Sequence, residues 1–192
     1  MIPSRAALRT RMRAARATLG AGERLAAADA VARHLGERDQ LRQPGYVGGY
    51  WAVNGEVPLH AVQLRLAPGQ VWCLPVVQDD GGLRFAPWRA GDATVGNRFG
   101  IPEPDVAPSS TLAPSELTLV LLPLLGFDSD GHRLGLGGGF YDRAFAFRRQ
   151  APAPPHLVGV GYGFQQLPRL PAEAWDVGLD AVVTEHGWLP MP

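Results

Sequence analysis

The chain predicts an α/β domain in which a largely parallel or mixed sheet is covered on both faces. Several strand-length runs, residues 71–77 and 119–127 among them, are apolar throughout rather than alternating, as strands buried on both faces are. Such runs alternate along the chain with segments of helical apolar spacing. The 192 residues, 46% of them apolar and 19% charged, suffice for one domain, residues 1–192, with a substantial core, and the same balance excludes a disordered chain.

Ser4 is a plausible N-cap for a first helix, in which Leu8, Met12, Ala15 and Leu19 form an apolar stripe. That segment also holds Arg5, Arg9, Arg11, Arg13 and Arg16 with no acidic residue among them, and Gly20 and Gly22 end it. A second helix is expected over residues 23–35, with Leu25, Ala28, Ala32 and Leu35 on one face. After Pro44-Gly45, residues 46–53 read as a strand that ends in the turn Asn54-Gly55-Glu56. Residues 57–66 are weakly helical and Pro68-Gly69 stops them. Residues 71–77 form a second strand, and Asp79-Asp80-Gly81-Gly82 turns the chain into a third over 83–88. Ala90 to Ser115, with Pro102, Pro104, Pro108 and Pro114, reads as a long ordered loop without regular structure. Strands follow at 119–127, 157–162 and 179–184, with a helix over 143–149 between the first two.

Composition narrows the chemistry. All 18 basic residues are arginine, so a Walker-type phosphate loop and a Schiff-base enzyme, both of which need a lysine, are excluded. The formal net charge is zero and there is no basic tail, which speaks against a nucleic-acid partner although nine arginines lie within the first 42 residues. No apolar run reaches membrane-spanning length, and the N-terminal arginines are followed by no apolar signal core. The single cysteine, Cys73, lies in an apolar run and reads as a small core residue. A cytoplasmic monomer acting on a small molecule, with neither nucleic acid nor membrane as partner, is the expectation.

Three places gather residues a reaction can use. In Gly131-His132-Arg133-Leu134-Gly135-Leu136-Gly137-Gly138-Gly139-Phe140-Tyr141-Asp142, glycine fills four of five positions from 135 to 139, after a strand and before a helix. Backbone without Cβ atoms approaches a phosphate closely, and a helix N-terminus adds favourable partial charge. Arg133 and Asp142 add a cation for phosphate oxygens and a carboxylate for Mg²⁺. A mobile surface loop has the same composition. The second place is Tyr50-Trp51 with Asn54-Gly55-Glu56, where an aromatic face and a carboxylate suit a flat heterocycle; core packing and an exposed turn are the alternatives. The third is Trp175-Asp176, whose carboxylate is either a second metal ligand or a loop cap. The basic first helix faces either phosphate or solvent. His132 has no assigned catalytic part, and the other histidines show no zinc spacing.

These residues resemble the signature of the 5-formyltetrahydrofolate cyclo-ligase family, also called methenyltetrahydrofolate synthetases. The central match is Phe127-Asp128, Gly131 to Gly135, and Gly137-Gly138-Gly139-Phe140-Tyr141-Asp142-Arg143. Arg5-Ala6-Ala7-Leu8-Arg9, Tyr50-Trp51 through Gly55-Glu56-Val57, Asn97 to Pro104, and Trp175-Asp176-Val177 through Glu185 resemble its other landmarks, in order along nearly the whole chain. The resemblance implies a three-layer αβα cyclo-ligase fold, like that of the CoA-transferases, and ATP- and Mg²⁺-dependent conversion of 5-formyltetrahydrofolate to 5,10-methenyltetrahydrofolate.

Carried over by position, Arg5, Arg9, Arg133, Leu134, Gly135, Leu136, Gly137, Gly138, Gly139, Phe140 and Tyr141 would contact ATP, with Arg133 supporting the transition state and no covalent nucleophile. Tyr50, Trp51, Glu56, Leu136 and Phe140 would hold the folate, and Asp142 and Asp176 the Mg²⁺. Two departures stand out: many members carry lysine where this chain has Arg5, and many carry lysine where it has Gly138, so that Arg143 or Arg9 is the candidate for the missing phosphate contact. The rival expectations are a non-catalytic folate- or nucleotide-binding regulator on the same fold and a basic-helix RNA-binding protein.

Overall fold

A computed structural model of the chain describes residues 3–192. In chain order the elements are helices α1 (Arg5–Ala17) and α2 (Ala21–Gly36), strand β1 (Gly45–Gly48), helix α3 (His60–Gln63), strands β2 (Gln70–Val77), β3 (Leu83–Pro87), β4 (Thr94–Gly96), β5 (Pro102–Pro104), β6 (Leu117–Pro123), β7 (Gly126–Phe127) and β8 (Arg133–Leu134), helix α4 (Phe140–Ala144), and strands β9 (His156–Val160), β10 (Ala181–Thr184) and β11 (Gly187–Pro190). The central sheet has seven strands in the order β11-β10-β9-β6-β1-β2-β3. Its inner five run parallel, and β3 and β11 close the two edges antiparallel. The sheet is therefore mixed, and wholly apolar strands mark its buried middle.

Side chains alternate across it. Leu119 and Leu121 of β6 face α2 and α3, where Ala27, Ala28, Val31, Ala32 and Leu35 pack with Val47, Val158 and Val183. Val120 and Leu122 face the other way, with Phe85, Phe127, Phe145, Leu157 and Val182. That second layer consists of α4, a 3₁₀ turn over Ala146–Arg149, the β7–β8 ribbon and loops. Helix α1 lies at the carboxyl end of β6, where Leu8 and Met12 pack with Leu125, Leu134, Leu167 and Leu170. Ser4 caps α1 as expected, its Oγ accepting from the Ala7 N–H at 3.2 Å.

Several elements depart from their expected bounds. Leu25 of α2 is exposed, and Val31 takes the core position instead. The strand expected over 46–53 ends at Gly48; Gly49 still donates to Cys73 O, and the chain then leaves the ladder. The helix expected over 57–66 shrinks to α3 between Pro58 and Pro68. The region 90–115, expected to lack regular structure, contains the β4–β5 ribbon. Pro102 and Pro104 fit because the outer edge of a two-stranded ribbon needs no donors. The buried Glu103 between them anchors the ribbon by accepting from Val77 N–H at 2.9 Å and Asn97 Nδ2 at 2.7 Å. The strand expected over 119–127 breaks after Pro123, so Leu125 turns toward α1 and Gly126–Phe127 pairs with β8. The helix expected over 143–149 runs from Phe140 to Ala144; at Phe145 the backbone leaves the helical region as its ring enters the core. The C-terminal strand β11, which hairpins back on β10, was not anticipated.

Phe145 anchors the segment that follows the glycine loop, stacking on Tyr141 at 6.3 Å and touching Phe85 at 6.1 Å between ring centroids. Truncation to Ala leaves a cavity at a wholly buried position. Phe145→Ala is expected to lose about 3–5 kcal/mol of stability, measured by urea denaturation; a loss under about 1 kcal/mol would mean the ring does not hold α4 to the sheet.

Candidate active site at the carboxyl end of the sheet

From β1 the chain proceeds to β2 on one side, whereas β6, β9 and β10 are laid down on the other. The order of the parallel strands thus switches between β1 and β6, and open α/β sheets bind ligands outside the carboxyl ends of strands at such a point. A cleft of about 540 Å³ lies there, floored by Pro123 at the end of β6. Arg5 and Arg9 from α1, Arg133 from β8, the loop Gly135 to Gly139, Phe140, Tyr141, Asp142 and Asp176 all line it. The structure brings these predicted residues together from three separate stretches of chain.

The loop is held by side chains rather than by its own backbone. Arg9 Nε donates to Gly135 O at 2.9 Å, Arg13 Nη2 to Leu136 O at 3.4 Å, and Arg143 Nη1 to Gly138 O at 2.9 Å. Its carbonyls are thereby engaged, while none of the backbone N–H groups from Gly135 to Asp142 donates to a protein acceptor among the described residues. Gly137 at φ +108° and Gly139 at φ +64° adopt backbone that other residues avoid. Helix α4 spans only five residues, so the expected contribution of a helix N-terminus reduces to these loop amides.

Two guanidinium–carboxylate pairs frame the cleft. Arg5 Nη1 meets Asp176 Oδ2 at 2.6 Å, and Arg133 Nη2 meets Asp142 Oδ1 at 2.6 Å. Arg133 also donates to Val177 O, and the Val177 N–H donates to Asp142 Oδ1 at 3.1 Å, which sets Asp142 beside the Asp176-Val177 segment. Burial, and then the neighbouring guanidinium groups of Arg5 and Arg13, push the Arg9 pKa down, with Asp176 acting in opposition. Two hard carboxylates beside open amides suit Mg²⁺ held jointly with phosphate oxygens. The donor set fits that group.

Other expectations fall elsewhere. Leu134 is wholly buried against Leu8 and Met12, so its side chain faces the core rather than a nucleotide. Tyr50 and Trp51 line a separate cavity of about 250 Å³ with Leu59, His60, Trp72 and Trp88. The Tyr50 hydroxyl donates to Val57 O at 2.8 Å, and Trp51 stands edge-on to Trp88 at 5.6 Å. Glu56 lines neither space. The turn Val53 to Glu56, with Asn54 at φ 52° and Gly55 at φ 77°, folds the carboxylate inward to accept from Val53 N–H at 3.0 Å. There it faces the buried Arg16, with Nη1 3.9 Å from Glu56 Oε1. Burial pushes the Glu56 carboxyl up, against the Val53 N–H and Arg16, which favour the ionised form. Burial and then the Glu56 carboxylate raise Tyr141, a lining residue of the main cleft.

Arg143, Arg149, Glu173 and Trp175 also line the cleft. Arg143 and Trp175 stand out in the sequence, whereas the signal for Arg149 is weak: a second arginine six positions along, in a segment that reads as helix. The cluster Asp128, Asp130 and His132 has metal-type spacing. Its buried carboxylate, however, is saturated by the N–H groups of Asp130, His132 and Leu170 and by the His132 ring, which makes it a structural turn. Among the described residues no helix is long and apolar enough to cross a membrane.

Residues 1–185 match the sequence profile of the 5-formyltetrahydrofolate cyclo-ligase family. The protein of that name from Haemophilus influenzae is 34% identical over 175 residues, covering 90% of this chain and 92% of that protein. Its Escherichia coli K12 counterpart is 39% identical over 142 residues, covering 72% and 76%. The structure is similar to that of the Aquifex aeolicus 5,10-methenyltetrahydrofolate synthetase, with a TM-score of 0.81 at 27% identity over 97% of this chain and 92% of the other. The Mycoplasma pneumoniae synthetase shares the fold at a TM-score of 0.73 and 22% identity, covering 95% and 99% of the two chains. The profile match over nearly all of its length, and a relative 34% identical over about nine-tenths of both chains, place this chain in the 5-formyltetrahydrofolate cyclo-ligase family.

Proposed function

We propose that the chain catalyses the ATP- and Mg²⁺-dependent cyclisation of 5-formyltetrahydrofolate to 5,10-methenyltetrahydrofolate, releasing ADP and phosphate. The observation that carries this reading is the glycine loop itself: a row of unpaired amides ringed by Arg5, Arg9 and Arg133 and bordered by Asp142 and Asp176. Loop amides and guanidinium groups suit a polyphosphate, and phosphoryl transfer needs positioning and charge stabilisation rather than a covalent nucleophile. The sole thiol fits that reading, since burial holds Cys73 up at about 12, far from a reactive thiolate.

The formyl oxygen of the substrate is a poor leaving group. Transfer of the γ-phosphoryl to that oxygen gives an N5-iminium phosphate and ADP; the N10 lone pair then attacks the formyl carbon, the N10 proton is lost, and phosphate departs carrying the oxygen and able to accept that proton. Arg133, fixed by Asp142 and Val177 O, would stabilise charge on the transferring group, and Arg9 would ground the phosphates against the loop. Mg²⁺, held by Asp142 and Asp176, would supply charge neutralisation on phosphate oxygens. Holding N10 against the activated carbon would supply a proximity term of ~7 kcal/mol or more. Arg143, hydrogen-bonded to Gly138 O, is the better placed group for the contact that many relatives assign to a lysine at position 138. Leu136 and Phe140, on the cleft wall, would face the folate, and Tyr50 and Trp51 would serve it from the neighbouring cavity, while Glu56, turned inward to Arg16, would act on it through the fold of that region.

Incubation of the protein with Mg·ATP and 5-formyltetrahydrofolate is expected to produce the near-ultraviolet absorbance of the conjugated methenyl product. A folded protein that gives no such absorbance would reduce this chain to a binder. Asp142→Asn should lower kcat/KM by about a hundredfold or more while circular dichroism stays native; near-normal turnover would remove Asp142 from the site. Glu56→Gln keeps the Val53 hydrogen bond and removes the charge beside Arg16, so the folate KM should rise about tenfold with ATP binding unchanged. Equal weakening of both ligands would mean that Glu56 serves only the fold.

A further inference from the structure

The proposed metal carboxylates differ in how they are engaged. Asp142 gives Oδ1 to Arg133 and to the Val177 N–H, and its Oδ2 has no hydrogen-bond partner among the described residues. Arg133 is itself seated on Val177 O and nearly buried, so this pair is part of the scaffold. Asp176 is different. Both its oxygens face Arg5, at 2.6 and 3.5 Å, and Oδ2 accepts in addition from the Glu173 N–H at 3.0 Å. Arg5 stands in the first turn of α1, is more exposed than Arg133, and is otherwise held only by Pro171 O at 3.1 Å. Its guanidinium therefore occupies the approach that a cation bound to Asp176 would need.

The charge balance of the cleft bears on when that approach opens. Five arginines and three carboxylates line it, leaving two positive charges. A bare divalent cation meets a site that is already positive. A magnesium–ATP complex, carrying about two negative charges, matches it. Phosphate oxygens offer Arg5 a bidentate partner at least equal to Asp176, and only that transfer leaves Asp176 free.

Building on the ATP- and Mg²⁺-dependent reading above, we propose that Arg5 is a positioning residue that closes Asp176 to free metal and hands it over when phosphate arrives, so that metal and nucleotide enter as one unit. The coupling is reciprocal: whatever nucleotide does to metal affinity, metal does to nucleotide affinity. Its purpose is physical. Metal cannot occupy the carboxylates alone and block the loop, and the carboxylates do not repel an incoming triphosphate while each is neutralised by an arginine.

Mn²⁺, a paramagnetic substitute for Mg²⁺, tests this without turnover. Free Mn²⁺ is titrated against wild type, Arg5→Gln, Arg5→Lys and Arg5→Gln/Asp176→Asn by electron paramagnetic resonance with no nucleotide present. Metal-free ADP is titrated against the same proteins by calorimetry. Arg5→Gln should bind Mn²⁺ about tenfold or more tightly than wild type and ADP about tenfold more weakly. Arg5→Lys should stay near wild type on both axes, and the gain in Mn²⁺ affinity should vanish in the double variant. Opposite shifts on the two axes are not what a misfolded variant gives, since misfolding weakens both. ADP binding to wild type combined with Mn²⁺ affinity that Arg5→Gln leaves unchanged or lowers overturns the handover alone. Absence of ADP binding to wild type, both metal-free and with Mg²⁺ present, overturns the nucleotide reading and the handover with it.

Discussion

The Arg133 guanidinium holds the site in shape. It projects from the second residue pair of a two-stranded ribbon, and it reaches Asp142 at the far end of the glycine loop and Val177 O in the C-terminal segment. One nearly buried cation thus ties both ends of the loop to the stretch that carries Asp176. A planar fork with several donors does this as an ammonium group would not. Without that clasp, five glycine-rich positions would pay full backbone entropy with little to hold them, and their amides would have no common focus.

The N-terminal helix supplies the remaining constraint. An all-arginine face on an amphipathic helix is compatible with simple solvation, and the fold rules that out for most of it. Leu8 and Met12 fix the helix onto Leu125 and Leu134 beyond the end of β6, which rotates Arg5, Arg9 and Arg13 toward the loop. The break of the β6 strand after Pro123 makes this docking possible, because it turns Leu125 away from the sheet. Pro123, the last residue of β6, floors the cleft, and the turn just beyond it carries Leu125 to the helix.

Arg16, one turn further on, is spent differently. It is 1% exposed, paired at 3.9 Å with Glu56, and its Nε and Nη2 have no hydrogen-bond partner among the described residues. An unmet buried donor costs about 1–3 kcal/mol, so this pair is no net support for the fold. Burial lowers the Arg16 pKa and raises that of Glu56, each opposed by the other's charge. Tyr50, Tyr141 and Tyr162 gather round the pair, and the Tyr162 hydroxyl donates to Gly55 O at 3.0 Å. Arg16 also donates to Leu124 O at 3.4 Å, so the pair ties the Val53–Glu56 turn to the chain beyond β6.

Local chemistry was enough for much of this. Apolar runs too short for helices and too uniform for a one-sided sheet announced buried parallel strands, Ser4 announced a helix start, and the glycines with their flanking Arg133 and Asp142 marked residues that meet in one cleft. What local chemistry misjudged were places where a distant partner overrides propensity. Pro102 and Pro104 became a strand because Glu103 could reach the end of β2, and the helix after the loop stopped because Phe145 had a core to enter. The sequence by itself determined the residue types of the site and the sheet that carries them. Only the tertiary structure decided that Arg5 and Asp176, 171 positions apart, meet at 2.6 Å, that Glu56 turns inward to Arg16, and that Tyr50 and Trp51 line a different cavity. Spacing along a chain encodes which face a residue takes on its own element, but the approach of two elements is set by how their apolar surfaces pack.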